Sequence, residues 1–337
     1  MMFARLATLL TKFLVILFMA CLATLPAAAL DKVRFGTNWL AQPEHGGFYQ
    51  AVVDGTYARY GLDVTIVQGG PQVNNRLLLI NGQLDFYMGG NLIQPFTAAE
   101  RGQPLMVVAA LFQKDPQILM VHPDSPFQTL PDLKQATLFL SQLTVASSFQ
   151  WMKSEWGFRD AQVRPYAFSP APFLADKNAA QQGYVTSEPF TIERVGGFKP
   201  RVFLLADYGF GSYTTTIETR RDMTSNQSDL VSRFVNASIE GWANYLHGDN
   251  KAANALILKL NPDITPELID HAIRAMKAYG LVENEDTRTK GIGAMNPERV
   301  EKFFNAMVKA GVVKPGTDWR SVFSFDYVNR GVALKAR

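Results

Sequence analysis

The chain has 337 residues, 47% of them hydrophobic, with 33 lysines and arginines against 30 aspartates and glutamates. The formal charge of +3 includes Arg5 and Lys12 near the start, so the remainder is nearly neutral, which argues against nucleic acid as a partner. The single cysteine, Cys21, lies in the same opening stretch, so beyond it disulfides and thiolate metal sites are excluded and stability must come from buried apolar surface.

Arg5 and Lys12 precede the apolar run Phe13 to Leu25, and Ala27 and Ala29 satisfy a small-x-small cleavage rule. This is the layout of a secretory signal peptide over residues 1–29. The run is shorter than the roughly 20 residues of a spanning helix. Phe18-Met19-Ala20-Cys21 is a poor lipidation box. The rest of the chain is then expected to be an exported, periplasmic, monomeric protein with no later membrane span.

From Lys32 the pattern alternates between strand and helix. Lys32 to Thr37 reads as a strand and Gly46 to Tyr60 as one helix closed by Gly61. Leu62 to Gln68 is a second strand, and Gly69-Gly70-Pro71 turns the chain. Asn75 to Asn81 is a helix, Leu84 to Met88 a third strand broken by Gly89-Gly90, and Asn91 caps a helix through Glu100. Leu105 to Phe112 is an apolar strand. The alternation restarts with strands at Gln117 to Val121, Thr137 to Ser141 and Val163 to Phe168. Helices are predicted at Ser147 to Trp156 and at Pro172 to Gln182, the second closed by Gly183. Tyr184 to Ser187 reads as a short strand, Glu188-Pro189 opens a helix, and Arg201 to Leu205 is a strand. After Thr224 amphipathic helices follow at Ser228 to Gly248, Lys251 to Leu260, Pro266 to Tyr279 and Pro297 to Ala310.

Alternation with short connections predicts an α/β protein with parallel sheets covered by helices. The division expected is two α/β lobes joined by two crossover segments, with a helical C-terminal section. Lobe I takes 30–113 and 208–337, and lobe II takes 114–207. A cleft at the carboxyl ends of the strands is where such sheets bind ligands.

The candidate binding residues lie at those strand ends. Trp39 offers an indole for stacking on a planar ring, or is an ordinary core tryptophan. Asn38 offers both a donor and an acceptor, or bonds its own turn. His45 opens a helix, where it contacts ligand or fills the rim. Gly89, Gly90 and Asn91 allow close ligand approach or form a tight turn, but lack the lysine of a phosphate loop. Tyr184 is a second ring face or a core residue. Glu188 is an acceptor for an amino group or a helix cap. Ser141, with Gln142, adds hydroxyl or amide contacts at another strand end. Four histidines without ligand spacing give no metal site, no motif implies a cofactor, and no nucleophile elbow points to catalysis.

The segment Thr37-Asn38-Trp39-Leu40-Ala41-Gln42-Pro43-Glu44-His45-Gly46-Gly47-Phe48-Tyr49 resembles the thiamine-pyrimidine and riboflavin precursor-binding proteins of ABC importers, and their thiamine-pyrimidine synthase relatives. Tyr57 to Val64, Asn81 to Phe86, and Asp207-Tyr208-Gly209 with Tyr213 extend the likeness. It covers most of the region from Val33 to about Tyr213. The resemblance implies a type II periplasmic-binding-protein fold that closes on a flat heterocycle through an aromatic sandwich and a carboxylate, and then docks on an ABC permease. It places Asn38, Trp39 and His45 in the first ligand segment, and Tyr184 and Glu188 among second-lobe contacts. The cysteine-rich iron motif of the synthases is absent, which disfavours an enzyme. A same-fold receptor for an alkylsulfonate or nitrate is the competing reading, although an anion site would want arginine at the strand ends. A ligand-binding sensor role is left open by the sequence.

Overall fold

The computed structural model describes residues 29–70, 73–166 and 169–334. The signal-peptide expectation therefore falls, but for Ala29, outside the described residues, as do Cys21, Pro71 and Phe168. Among the described residues no helix is long and apolar enough to cross a membrane.

The described residues from Lys32 onward form one compact unit built on two five-stranded sheets. The first has the order β2-β1-β3-β10-β4, from β1 (Asp31–Gly36), β2 (Leu62–Val67), β3 (Phe86–Asn91), β4 (Leu105–Phe112) and β10 (Thr214–Arg220). The second has the order β7-β6-β8-β5-β9, from β5 (Gln117–Val121), β6 (Thr137–Leu140), β7 (Val163–Pro165), β8 (Ala179–Tyr184) and β9 (Arg201–Leu204). The chain passes between sheets after Phe112 and returns after Leu204. The α/β architecture with two crossovers agrees with the sequence reading.

The sheets are mixed rather than parallel. β10 runs antiparallel to both β3 and β4, and β5 runs antiparallel to β8 and β9. Each crossing thus adds a reversed strand to a core of parallel ones such as β1 and β3. β10 itself escapes the sequence pattern because TTTIETR is mostly polar, yet it is buried along almost its whole length.

Three local readings are corrected. The first long helix splits into Gly46–Val53 and Thr56–Arg59, because Gly55 adopts a left-handed φ of 73°. The predicted break at Gly89-Gly90 is instead the last part of β3, with Gly89 paired to Thr216. Residues 179–182, read as the end of a helix closed by Gly183, belong to β8 (Ala179–Tyr184), a central strand between β5 and β6 whose Ala-Ala-Gln-Gln-Gly sequence carries no alternation.

One face of the first sheet packs on the helices Gly46–Val53 and Ser228–His247. Phe234 stacks on Phe86 with ring centroids 4.0 Å apart, and Trp242 packs edge-on against Phe48 and Phe112. Gly46 and Gly47 have no room for a Cβ against Tyr245 and Trp242, which explains the paired glycines. The C-terminal section returns to this sheet, where Ser324 N donates to Val107 O at 3.0 Å.

Candidate functional site

The irregular segment after β1 is held tightly. The Thr37 hydroxyl donates to Trp39 O at 2.7 Å and accepts from Gly69 N at 3.1 Å. A Cβ at Gly69 would lie 2.5–2.7 Å from the backbone of residues 37–39, so the two strand-end loops touch through a glycine. Asn75 donates to Thr37 O, Ala41 N donates to Gln68 Oε1, and Asn261 donates to Ala41 O. Asn38 and Trp39 are half-buried on this braced segment. Gly90 comes against Asn38, whose Nδ2 is 3.7 Å from where a Cβ on Gly90 would stand.

Gly89 has a different neighbour from the one its position suggests. A Cβ there would collide with the Glu218 carboxylate and the Thr216 hydroxyl, so protein side chains occupy the approach to its backbone. Glu218, fully buried, pairs with Arg76 at 2.7 Å, and Arg76 also lies over the Tyr87 ring. Asn91 Oδ1 accepts from Ile93 N at 3.1 Å, a local turn bond at the start of the next helix. Beside it Thr215 holds a φ of 48°, a conformation that costs a β-branched residue energy.

The 3-10 turn Pro43–His45 presents two titratable groups with opposite behaviour. His45 is 1% exposed, and burial lowers its imidazole to about 3, so it stays neutral and gives a ligand almost no accessible surface. Glu44, 6% exposed, is the group that meets the second lobe. Burial raises its carboxyl, Thr186 offsets this, and the Glu188 carboxylate raises it further.

Opposite it, Tyr184 ends β8 and Glu188 opens the helix Glu188–Gly196. Glu188 Oε2 accepts from Tyr184 N at 2.7 Å and from the Ser187 hydroxyl. Burial raises the Glu188 carboxyl despite these bonds. Tyr184 is 36% exposed, yet burial drives its phenol well above the ordinary range, with Asp115, Glu44 and Glu188 adding to the shift. Asp115, in the first crossing, is 0% exposed, and burial pushes its carboxyl up to about 7. Tyr166 also feels Glu188.

The structure therefore brings Tyr184 and Glu188 together, and separately Asn38 and Gly90. Ser141 does something else. Its hydroxyl accepts from Thr144 N as a helix cap, and its N–H donates to Gln182 Oε1. Glu44, Asp115 and Thr186 escaped the sequence reading. Glu44 stands inside the motif quoted for the resemblance, beside the histidine that drew attention, and Asp115 precedes Pro116 in a segment read only as a crossing. Two cavities, of about 310 and 270 Å³, include neither Glu44 nor Tyr184. The second follows the seam where His271 and Arg274 meet Val185 and Pro189.

A family model described as NMT1/THI5 like matches residues 42–252. No curated protein matches the chain in sequence. Among solved structures, the periplasmic aliphatic sulphonate binding protein SsuA from Escherichia coli is 17% identical with a TM-score of 0.65, over 87% of this chain and 91% of that one. The alkanesulfonate-binding protein SsuA from Xanthomonas axonopodis pv. citri, bound to MOPS, is 14% identical with a TM-score of 0.62, over 89% and 100%. The desulfurization enzyme DszB is 11% identical with a TM-score of 0.58, over 91% and 100%. These likenesses are ones of fold, and they include receptors and an enzyme, so function must be argued from the site.

Proposed function

We propose, from the premise that the chain belongs to the NMT1/THI5-like family, that it is the solute-binding component of an ABC importer and captures an amino-bearing aromatic heterocycle, pyrimidine-like, between its two sheets. The observation that carries this is the pairing of Tyr184, 36% exposed at the end of β8, with a Glu188 carboxylate whose Oε2 is fixed by the Tyr184 N–H and the Ser187 hydroxyl. An aromatic face and an oriented acceptor suit a flat ring with an exocyclic amine. Trp39 would supply the second face and Asn38 a donor and acceptor at the ring edge. Gly90 would admit the ligand to the backbone. His45, Gly89, Asn91 and Ser141 would support the walls without touching it.

Capture would draw together lobe I (30–113 and 208–337) and lobe II (114–207), and the closed form would dock on a permease in the cytoplasmic membrane. The leader composition supports a location outside that membrane. The fold likeness to sulfonate receptors makes an alkylsulfonate the second reading. Against it, the groups gathered at Tyr184 are carboxyls, and Arg76, close to the strand ends, is already paired with Glu218. A thermal-shift panel of pyrimidines, flavins, thiamine fragments and alkanesulfonates on the purified protein tests the choice. Stabilisation by aminopyrimidines supports the proposal, and stabilisation by sulfonates alone refutes it.

A further inference from the structure

β10 carries four threonines, and they divide by position. The Thr216 hydroxyl donates to Glu218 Oε1 at 3.2 Å, and the Thr219 hydroxyl donates to Asp85 O at 2.8 Å. The two at the head of the strand differ. The Thr214 hydroxyl is buried without a hydrogen-bond partner among the described residues, and the Thr215 hydroxyl makes no hydrogen bond among them either. Both residues are deep, at 5% and 7% exposed. A buried hydroxyl without a partner is costly, so two in succession call for an explanation.

Their place in the sheet supplies one. β10 runs antiparallel to β3 and β4, so Thr214 stands opposite Asn91 and Phe112, the last residues of those strands. The same register sets Thr215 opposite Gly90 and Leu111, but the pairing skips it on both sides. The cause is the Thr215 backbone, whose φ of 48° lies where a β-branched residue is strained. Gly90 thus loses its register partner in β10. It is also the glycine beside Asn38, whose Nδ2 lies 3.7 Å from where a Gly90 Cβ would stand. Strain of this kind persists only where the surroundings hold it, and it collects at binding sites. Glu218, further along the strand, is paired with Arg76 at 2.7 Å, so the head of β10 offers uncharged hydrogen-bonding groups.

We propose that Thr214 and Thr215 are ligand-contacting residues, which complete with Asn38 and Gly90 a subsite that hydrogen-bonds a polar edge of the captured molecule through uncharged groups. The proposal rests on the reading that a guest is held at these strand ends, and it adds the residues that orient the guest there. A threonine hydroxyl both donates and accepts, so the pair can meet either a ring nitrogen or an N–H. The left-handed Thr215 has a second effect: by interrupting the ladder it leaves the Gly90 backbone to the guest.

Calorimetric titration and thermal unfolding of the full chain test this, with 4-aminopyrimidine and ethanesulfonate as probes and Thr215→Gly and Thr214→Val as variants. Glycine holds a positive φ without strain, and valine keeps the shape of threonine without its unpaired hydroxyl. Both variants should therefore melt no lower than the unmodified protein, and Thr215→Gly higher. Each should nevertheless bind the probe at least about tenfold more weakly. A merely structural role would move stability and affinity down together, and that result overturns the proposal. Unchanged affinity for a bound pyrimidine in both variants also overturns it and leaves the heterocycle reading standing. Binding of ethanesulfonate alone, weakened by the variants, keeps the subsite and removes the heterocycle. Binding of ethanesulfonate alone without such weakening, or of neither probe, removes both.

Discussion

The backbone N–H of Tyr184 donates to Glu188 Oε2 at 2.7 Å, and the Glu188 side chain lies directly over Gly183. The end of β8 thus fixes its own carboxylate: the glycine leaves space, the next residue supplies the donor, and Pro189 starts the helix behind it. A Cβ at Gly183 would stand 2.6 Å from Glu188 Cβ. Gly183→Ala should therefore displace the carboxylate and weaken aminopyrimidine binding by about tenfold or more, an effect of at least 1.4 kcal/mol. Glu188→Gln should weaken amino-bearing ligands more than their non-amino analogues. Equal losses for both, measured by calorimetry, would count against the acceptor role.

Trp39 stands on a segment braced by Thr37, Gly69 and Asn75. A rigid indole loses little entropy on binding, so its removal should cost mostly stacking and burial. Trp39→Ala is expected to reduce affinity more than tenfold with little change in thermal stability, since stacking and area together amount to about 2 kcal/mol. Unchanged affinity defeats the sandwich.

Arg299 lies over the Tyr213 ring at 4.0 Å and donates to Gln113 O, Gly211 O and Ser212 O. One side chain so ties the two crossings together. Arg299→Ala should lower unfolding stability by about 2–3 kcal/mol in urea, because charge-assisted bonds and a cation–π contact are lost at once. Arg299→Lys should recover little of it, since one ammonium cannot reach three carbonyls from a stacked position. A wild-type midpoint for Arg299→Ala would show that the crossings are held by other means.

Asp115 sets a pH dependence. Its folded carboxyl titrates at about 7 against an ordinary 3.8, so between these values the folded state holds a proton the unfolded chain has lost. Its contribution is favourable below pH 4 and disappears as pH rises through 7. Asp115→Asn should then raise the melting temperature at pH 8, on the order of 3 °C, and change it little at pH 4. The reverse pattern would mean that Asp115 is paired as an anion. His45 acts in the opposite sense: with its folded value near 3, stability falls as pH drops below the ordinary 6.5.

Much of the architecture was legible because it depends on local signals. Gly61, Gly82 and Gly157 closed their helices with left-handed φ, and Thr265-Pro266 and Asn296-Pro297 opened theirs. What was not legible depends on tertiary partners. β8 and β10 are strands because neighbours on both sides hydrogen-bond them, whatever their own propensity. The site divided in the same way. Glu188 was visible as an acid at a helix start. Asp115 was not, since its meaning comes from complete burial in a crossing beside Tyr184, a relation between residues nearly seventy positions apart.

The most direct measurement is a crystal structure of the protein saturated with an aminopyrimidine. The account predicts electron density for the ring between Trp39 and Tyr184, its amine within hydrogen-bond reach of Glu188 Oε1. A ring seated elsewhere, or a crevice left vacant at saturation, would contradict it.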